Sequence, residues 1–530
     1  MQIFCWQSNV LKFTATMETA NPFLDVELTA RFTGPNGEAL VLPGYWDGGK
    51  TYCVRFAPTA VGIWRYETSA SNGDPGLAAS GEIVCAPYTG ELPIYRHGFL
   101  HVSSDRSHLE HADGTPFLWL GDTHWTFVTE ERWDESNCVQ YDSQFRACVD
   151  RRAQQGFNVY QCNLREGTGE GIFGKNLTLL RETERGLLPD IDALRDVDRK
   201  MLYLAEKGFV TAVGYAWSSD ISGGTEHYCC LAKYLAARYG ALPVIWTLAG
   251  ELPGYMPDTR QMFVDEWRKV AETAAACSPY GNLQSVHLAT GDRIPDIYCG
   301  EEWLDFAMCQ TGHGDYPASC KHYQEFRAEH PDVPLIESET FYEGIQSLEA
   351  APRTVTPDVV RRMAYLLMQS GGCGYTYGCN GVWELQWEPG VGGIGWGDMG
   401  WWEGLELPGA NQLTIWKKLY ESVGWASLKP LGAQDIELLG YWLPFALPDA
   451  MPLLTADAGR STIVGYFSPG AWRSFALHGL KAKSYTGYTM DPATGHKAPV
   501  TYEIKDGTLR VEDYRRTTKP DLVLVLQTKD

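Results

Sequence analysis

No run of 18 apolar residues occurs anywhere in the sequence, so nothing in it reads as a membrane-spanning helix. Residues 1–7 lack a basic start, an apolar stretch and a small-residue cleavage site, which argues against a secretory leader and for a cytoplasmic protein. Positive charge is scarce. Against 66 Asp and Glu stand only 44 Lys and Arg, and a net charge of −22 repels phosphate backbones and anionic lipid surfaces. Nucleic acid and membrane are poor partners for such a chain. The 14 cysteines form no C-x-x-C pair and no framework spacing, so reduced, mostly buried thiols are expected. Also missing are H-E-x-x-H, zinc-like Cys/His spacing and a serine in G-x-S-x-G, the usual handles of metalloproteases and α/β-hydrolases. Nothing calls for a metal or an organic cofactor. Two stretches, 169–174 and 395–400, fit G-x-G-x-x-G, but neither opens a periodic helix in a βαβ unit and both read as loops. Asp192, Asp196 and Asp198 read as the charged N-terminal face of a helix rather than a metal site.

Aromatic residues are plentiful at 12% of the chain, with 19 Trp, and many lie in Gly-rich stretches such as 392–402. Flat apolar faces of that kind suit sugar rings. At 530 residues the chain exceeds one hydrophobic core. Residues 1–88 show short, turn-punctuated strands at 26–32, 52–56 and 63–68, an N-terminal β-sandwich. Beyond a Pro/Gly linker the rhythm changes to short apolar strand followed by long helix over 91–425. Eight strands are expected there, at 117–121, 158–162, 209–213, 244–248, 283–287, 306–310, 334–338 and 374–377, with helices such as 264–276 and 357–369 between them. A count of eight points to an α/β fold of the (β/α)8 TIM-barrel type. Alternation returns over 428–530, at 461–467, 473–477, 483–489 and 522–527, a C-terminal β-sandwich.

In a parallel barrel, the C-terminal ends of the strands face the active-site mouth. Glu251 follows the apolar stretch 244–248 and the Ala249-Gly250 turn. Glu339 follows 334–338 in the same way, with Glu337 on the same face of a regular strand and Glu343 close by, so either could replace it. Two carboxylates suffice for acetal hydrolysis: one protonates the leaving oxygen while the other attacks the anomeric carbon, and a spacing of about 5 Å gives retention. His313, Gln310 and Asn163 are candidate hydrogen-bond donors to the ionised member. Trp125, Gln161, His287, Tyr342, Glu343, Tyr375 and Tyr377 stand at or beside strand ends and complete the candidate sugar contacts.

With these residues in view the chain resembles the apiosidase-like glycoside hydrolases, family 140 and its relatives. The resemblance rests on Gly121-Asp122-Thr123-His124-Trp125, Gln155-Gly156-Phe157-Asn158-Val159, Val244-Ile245-Trp246 running to Gly250-Glu251, Gln310-Thr311-Gly312-His313, Glu339-Thr340-Phe341-Tyr342-Glu343 and Gly374-Tyr375-Thr376-Tyr377-Gly378. The N-terminal region is similar to the immunoglobulin-like β-domain that often precedes such barrels. The resemblance implies a retaining (β/α)8 enzyme with Glu251 as acid/base, Glu339 as nucleophile, and Asp122, His124 and His313 lining the sugar pocket. In that family the fourth strand ends Gly-Gly-Asp; here it ends Ala249-Gly250-Glu251, one methylene longer. The expected activity is removal of a terminal, apiose-like or other β-linked sugar from plant-derived oligosaccharides or glycosides. An inactive carbohydrate-binding barrel, an endo-acting polysaccharide hydrolase, a uronic-acid lyase and an inverting mechanism are the competing readings.

Overall fold

The computed structural model describes all residues except 1, 172–173, 255–256, 291–293, 315, 349–351, 390–398, 433, 441–450, 483, 516, 518–520 and 529–530. Parts of both G-x-G-x-x-G stretches lie outside the described residues. What is described of the first is a short hairpin, Glu170–Gly171 against Gly174–Lys175, and it opens no helix.

Seven strands form one parallel sheet: β1 (Trp119–His124), β2 (Val159–Asn163), β3 (Val210–Gly214), β4 (Val244–Trp246), β5 (Ala307–Gln310), β6 (Leu335–Glu339) and β7 (Gly374–Tyr377). Their order is β4-β3-β2-β1-β7-β6-β5. All seven strands are buried throughout, as expected of strands covered by helices on one side and by one another on the other. The expected fifth strand, 283–287, is not a strand. It makes only isolated parallel bridges, Trp246↔Gln284 to β4 and His287↔Met308 to β5, between the two edges of the sheet. Asp305 interrupts the ladder: its carboxylate accepts from Gln284 N (2.7 Å) and its own N–H donates to Gln284 O (3.0 Å).

Around the sheet lie α1 (Gln144–Gln154), α2 (Ile191–Glu206), α3 (Thr225–Tyr239), α4 (Arg260–Ala276), α5 (Tyr316–Glu329), α6 (Pro357–Gln369) and α7 (Gly409–Ser422). Ser143 caps α1 by accepting from Arg146 N, and Asp190 caps α2 by accepting from Ala193 N, which satisfies donors the first turn leaves unpaired. Two members of the carboxylate run on α2 are in ion pairs, Asp196 with Arg199 and Lys200 and Asp198 with Arg238, and Asp192 lies in the helix's first turn. No described helix is long and apolar enough to cross a membrane.

Residues 2–86 form a five-stranded sheet and a three-stranded sheet that enclose Trp64, Phe32 and Phe56. Strand Leu28–Thr33 alternates strictly buried and exposed, the period-2 pattern of a half-covered sheet. Asp47 fastens this region to α2 and α3 through Arg195 (2.7 Å) and Arg238 (3.1 Å). After α7, six- and four-stranded antiparallel sheets enclose a second apolar cluster containing Phe467, Phe475 and Leu509. The six-stranded sheet packs onto α6, where Tyr466 stacks on Tyr365 at 4.8 Å and Arg361 pairs with Asp521.

Candidate active site

Strand parity decides which side chains reach the mouth. Successive residues of a strand point to opposite faces. On β1, Trp119 points inward, its indole N–H donating to Thr376 Oγ1 of β7 (2.9 Å). Asp122 and His124 therefore share the outer face, under α1. Asp122 Oδ2 accepts from Arg152 Nε of α1 (2.6 Å) and contacts His124 Nε2 (3.1 Å). His124 Nδ1 contacts Glu131 (2.8 Å), and the ring stacks on Tyr160. Both residues are fully buried. Burial opposes charge on His124, but Glu131 and Asp122 outweigh it and lift its pKa to about 9. Burial likewise opposes ionisation of Asp122, and Arg152 with His124 holds it low. The structure thus places these two expected sugar contacts in a charged seam behind the strand. The strand expected over 117–121 stops short of these residues, so its alternation does not reach them, whereas the observed strand carries it through His124.

The same rule moves three more candidates. Thr376 points inward and bonds Gln161 Oε1 (3.2 Å), so Tyr375 and Tyr377 face the helix layer. Tyr377 donates to Glu343 Oε2 (2.5 Å), which also accepts from Gly409 N at the start of α7 (2.9 Å). Burial raises the Glu343 carboxyl to about 7 against the pull of Tyr377. Tyr375, Tyr377 and Glu343 stand on the helix side of the sheet. Gln161 and Asn163 do face inward, but their amides serve the backbone: Gln161 Nε2 donates to Ser338 O (2.8 Å), while Asn163 donates to Ala216 O (3.0 Å) and accepts from Arg165 N (2.7 Å).

The remaining candidates converge on Glu339. His313 Nε2 lies 3.1 Å from its Oε1; His287 Nε2 lies 3.3 Å from its Oε2, which also accepts from Trp125 Nε1 at 3.2 Å. The same indole N–H reaches Tyr342 OH at 3.0 Å. Burial alone would raise the carboxyl, but the two histidines outweigh it and hold Glu339 well below the usual carboxylate range. His287 is itself fixed. Its Nδ1 lies 2.9 Å from Ser338 Oγ, whose proton goes to Cys309 O (2.8 Å), so the hydroxyl can only accept and Nδ1 carries a proton.

Glu251 follows the short parallel pair Ala216–Trp217 and Ala249–Gly250. Its backbone is left-handed, φ 56°, a conformation costing a non-glycine residue about 1–2 kcal/mol. Such strain clusters at functional sites. Gln310 Nε2 lies 3.5 Å from its Oε1, and Gln310 is the backbone partner of Glu339 across β5 and β6, so one residue touches both glutamates.

Aromatic rings wall this centre, and the sequence did not single all of them out. Trp217 meets Trp125 edge-on at 5.4 Å, and Trp383 lies 5.4 Å from Tyr342. Two glycines make room. A Cβ on Gly250 would fall 2.2 Å from the Trp217 ring, and one on Gly378 would fall 2.1 Å from the Tyr342 ring. Gly250, immediately before Glu251, was the available signal.

Comparison with known proteins agrees with this architecture. Residues 103–427 match the family described as apiosidase-like, catalytic domain, and residues 2–71 match a domain of unknown function, DUF5060. A solved structure of a putative glycoside hydrolase from Bacteroides vulgatus is 19% identical, with TM-score 0.73 over 99% of both chains. A structure described as a glycoside hydrolase is 22% identical, with TM-score 0.69, covering 83% of this chain and 99% of the other. A family 5 glycoside hydrolase from Bacteroides vulgatus is 20% identical, with TM-score 0.68 over 83% of this chain and 95% of its own. No curated protein matches the sequence. With more than half the chain inside one family and a carboxylate-centred mouth on a parallel sheet, this protein belongs to the apiosidase-like glycoside hydrolases.

Proposed function

We propose that the enzyme is a retaining glycosidase in which Glu339 attacks the anomeric carbon and Glu251 protonates the departing oxygen, then activates water. The contacts of Glu339 carry this reading: a buried carboxylate with a donor or ring nitrogen aimed at each oxygen stays ionised and aimed, as a nucleophile must. Glu251 stands beside it through Gln310, on a strained turn that presents the carboxyl where β4 ends. Trp125, Trp217, Tyr342 and Trp383 supply flat apolar faces for one sugar ring, while Asp122, His124, Glu343, Tyr375 and Tyr377 act from behind the strands. The bridges of residues 283–288 to β4, β5 and Leu252 support closure into a (β/α)8 ring spanning 91–425, flanked by β-domains at 1–88 and 428–530.

The substrate is a terminal β-linked sugar, with an apiose-like pentose on a plant glycoside the leading choice. A screen of aryl β-glycosides and apiosylated natural glycosides identifies it. Glu339→Ala should abolish turnover, and azide should restore it as a glycosyl azide of inverted configuration. Wild-type hydrolysis by Glu339→Ala without azide would sink the assignment. Glu251→Ala should lose far more on poor leaving groups than on activated aryl glycosides.

A further inference from the structure

Glu337 and Glu339 are two residues apart on β6, and in a regular strand they would point the same way. They do not. Cys309 pairs with Glu337, but the next residue of β5, Gln310, pairs with Glu339, so Ser338 is an extra residue and β6 is bulged there. A bulge re-aims the side chains that follow it. Here Glu337 points outward, to Tyr323 of α5, whose hydroxyl donates to Oε2, while Ser338 and Glu339 both point inward to His287.

A bulge leaves backbone groups without ladder partners, and buried ones must be satisfied. Two N–H groups at this bulge, those of Thr311 and Glu339, both donate to Glu337 Oε1 at 3.2 Å. Ser338 O accepts from Gln161, and Cys309 O accepts from Ser338 Oγ. Glu337 is fully buried, and Cys309 Sγ lies 3.4 Å from Oε2.

We propose that Glu337 is a positioning residue: its carboxyl caps the β6 bulge, and the capped bulge turns Glu339 from the helix layer into the mouth. The proposal rests on Glu339 being the nucleophile. It explains why a sequence with two glutamates on one strand has one chemical centre. The outward glutamate fixes the direction of the inward one through the inward one's own amide. Burial raises the Glu337 carboxyl to about 7, so near neutral pH it is partly protonated, and an amide of the same shape can replace it.

The test compares Glu337→Gln, which still accepts both N–H groups, with Glu337→Leu, which cannot. The probe is the 4-nitrophenyl β-glycoside that wild type cleaves fastest. Expected are near-wild-type kcat for Glu337→Gln and about a hundredfold loss of kcat for Glu337→Leu, the scale for a nucleophile displaced by about 1 Å. KM should change little, and azide should not restore Glu337→Leu as it restores Glu339→Ala. A crystal structure of Glu337→Leu should show Glu339 withdrawn from His313. Unchanged kcat in Glu337→Leu, azide rescue of it, covalent trapping at Glu337, or an unmoved Glu339 overturns the proposal. If Glu337→Leu does not fold, Tyr323→Phe decides: removing one donor from the cap should lower kcat about fivefold at constant KM, and no change overturns it. Should wild type cleave no glycoside in the screen, the nucleophile reading fails, while the crystal structures still decide whether Glu337 sets the direction of Glu339.

Discussion

Gly250→Ala is the most informative single change. The glycine has an ordinary backbone conformation, so the substitution adds one methyl group without backbone strain, but that methyl would lie 2.2 Å from Cε3 and Cζ3 of Trp217. Carbon atoms settle at about 3.5 Å or more, so the indole must retreat by about 1.3 Å. Trp217 is buried and leans edge-on against Trp125, which donates to Glu339. The displacement therefore travels two contacts to Glu339. Overpacking of this kind costs about 1–3 kcal/mol of stability, and an ångström of misplacement near the reacting atoms costs about a hundredfold in rate. Steady-state kinetics on an aryl glycoside and a thermal melt should show both losses. The route is tested by adding Trp217→Ala, which removes the ring that the methyl strikes. The double variant should lose less than the sum of the singles, because the steric term vanishes. Strict additivity, or Gly250→Ala within twofold of wild type in both assays, would refute the packing argument.

Trp125→Phe keeps the apolar wall but removes the N–H donated to Glu339 Oε2, and a lost bond to a buried charge of about 1.5–3 kcal/mol should appear as a fall in kcat with little change in KM. Arg361→Leu strands Asp521 unpaired between α6 and the C-terminal sheet and should cost about 3–5 kcal/mol, read as a lower urea midpoint. Glu343, raised from 4.5 to about 7 on folding, binds its proton more tightly when folded. Its contribution is therefore greatest below pH 4.5 and declines by about 3 kcal/mol as pH rises to 7 and above. Glu343→Gln should flatten that part of the stability profile, and an unaltered slope of urea stability between pH 4.5 and 7.5 would count against the shift.

Much of the fold is legible because buried parallel strands are short apolar runs. Residues 374–377 and 357–369 fall where periodicity places them, and the other sheet strands have ends displaced by up to three residues. Such displacements are harmless for topology and serious for the site. A strand expected to end at 121 rather than 124 leaves out that Asp122 and His124 share a face opposite Trp119, because the alternation of the strand continues through them. The converse error threatened at β6, where regular alternation would have placed Glu337 and Glu339 together; the Ser338 bulge depends on long-range partners in Gln161, His287 and Cys309 that no local pattern encodes. The place of Glu251 on a turn at the end of β4 was legible from the apolar run and the glycine before it. Trp217 was not, since its significance comes from lying over Gly250, 33 residues later.

The two-sided character of β1 bears on how this enzyme can be re-engineered. Within six residues, one face carries Thr123 toward Tyr342 and leads into Trp125, while the other carries the Asp122–His124–Arg152 seam beneath α1. Randomising position 123 explores new sugar shapes while the Trp125 donor to Glu339 and the scaffold stay in place. Randomising 122 and 124 yields clones that differ in whether α1 docks at all, and a selection for altered specificity would discard them before any sugar was tried.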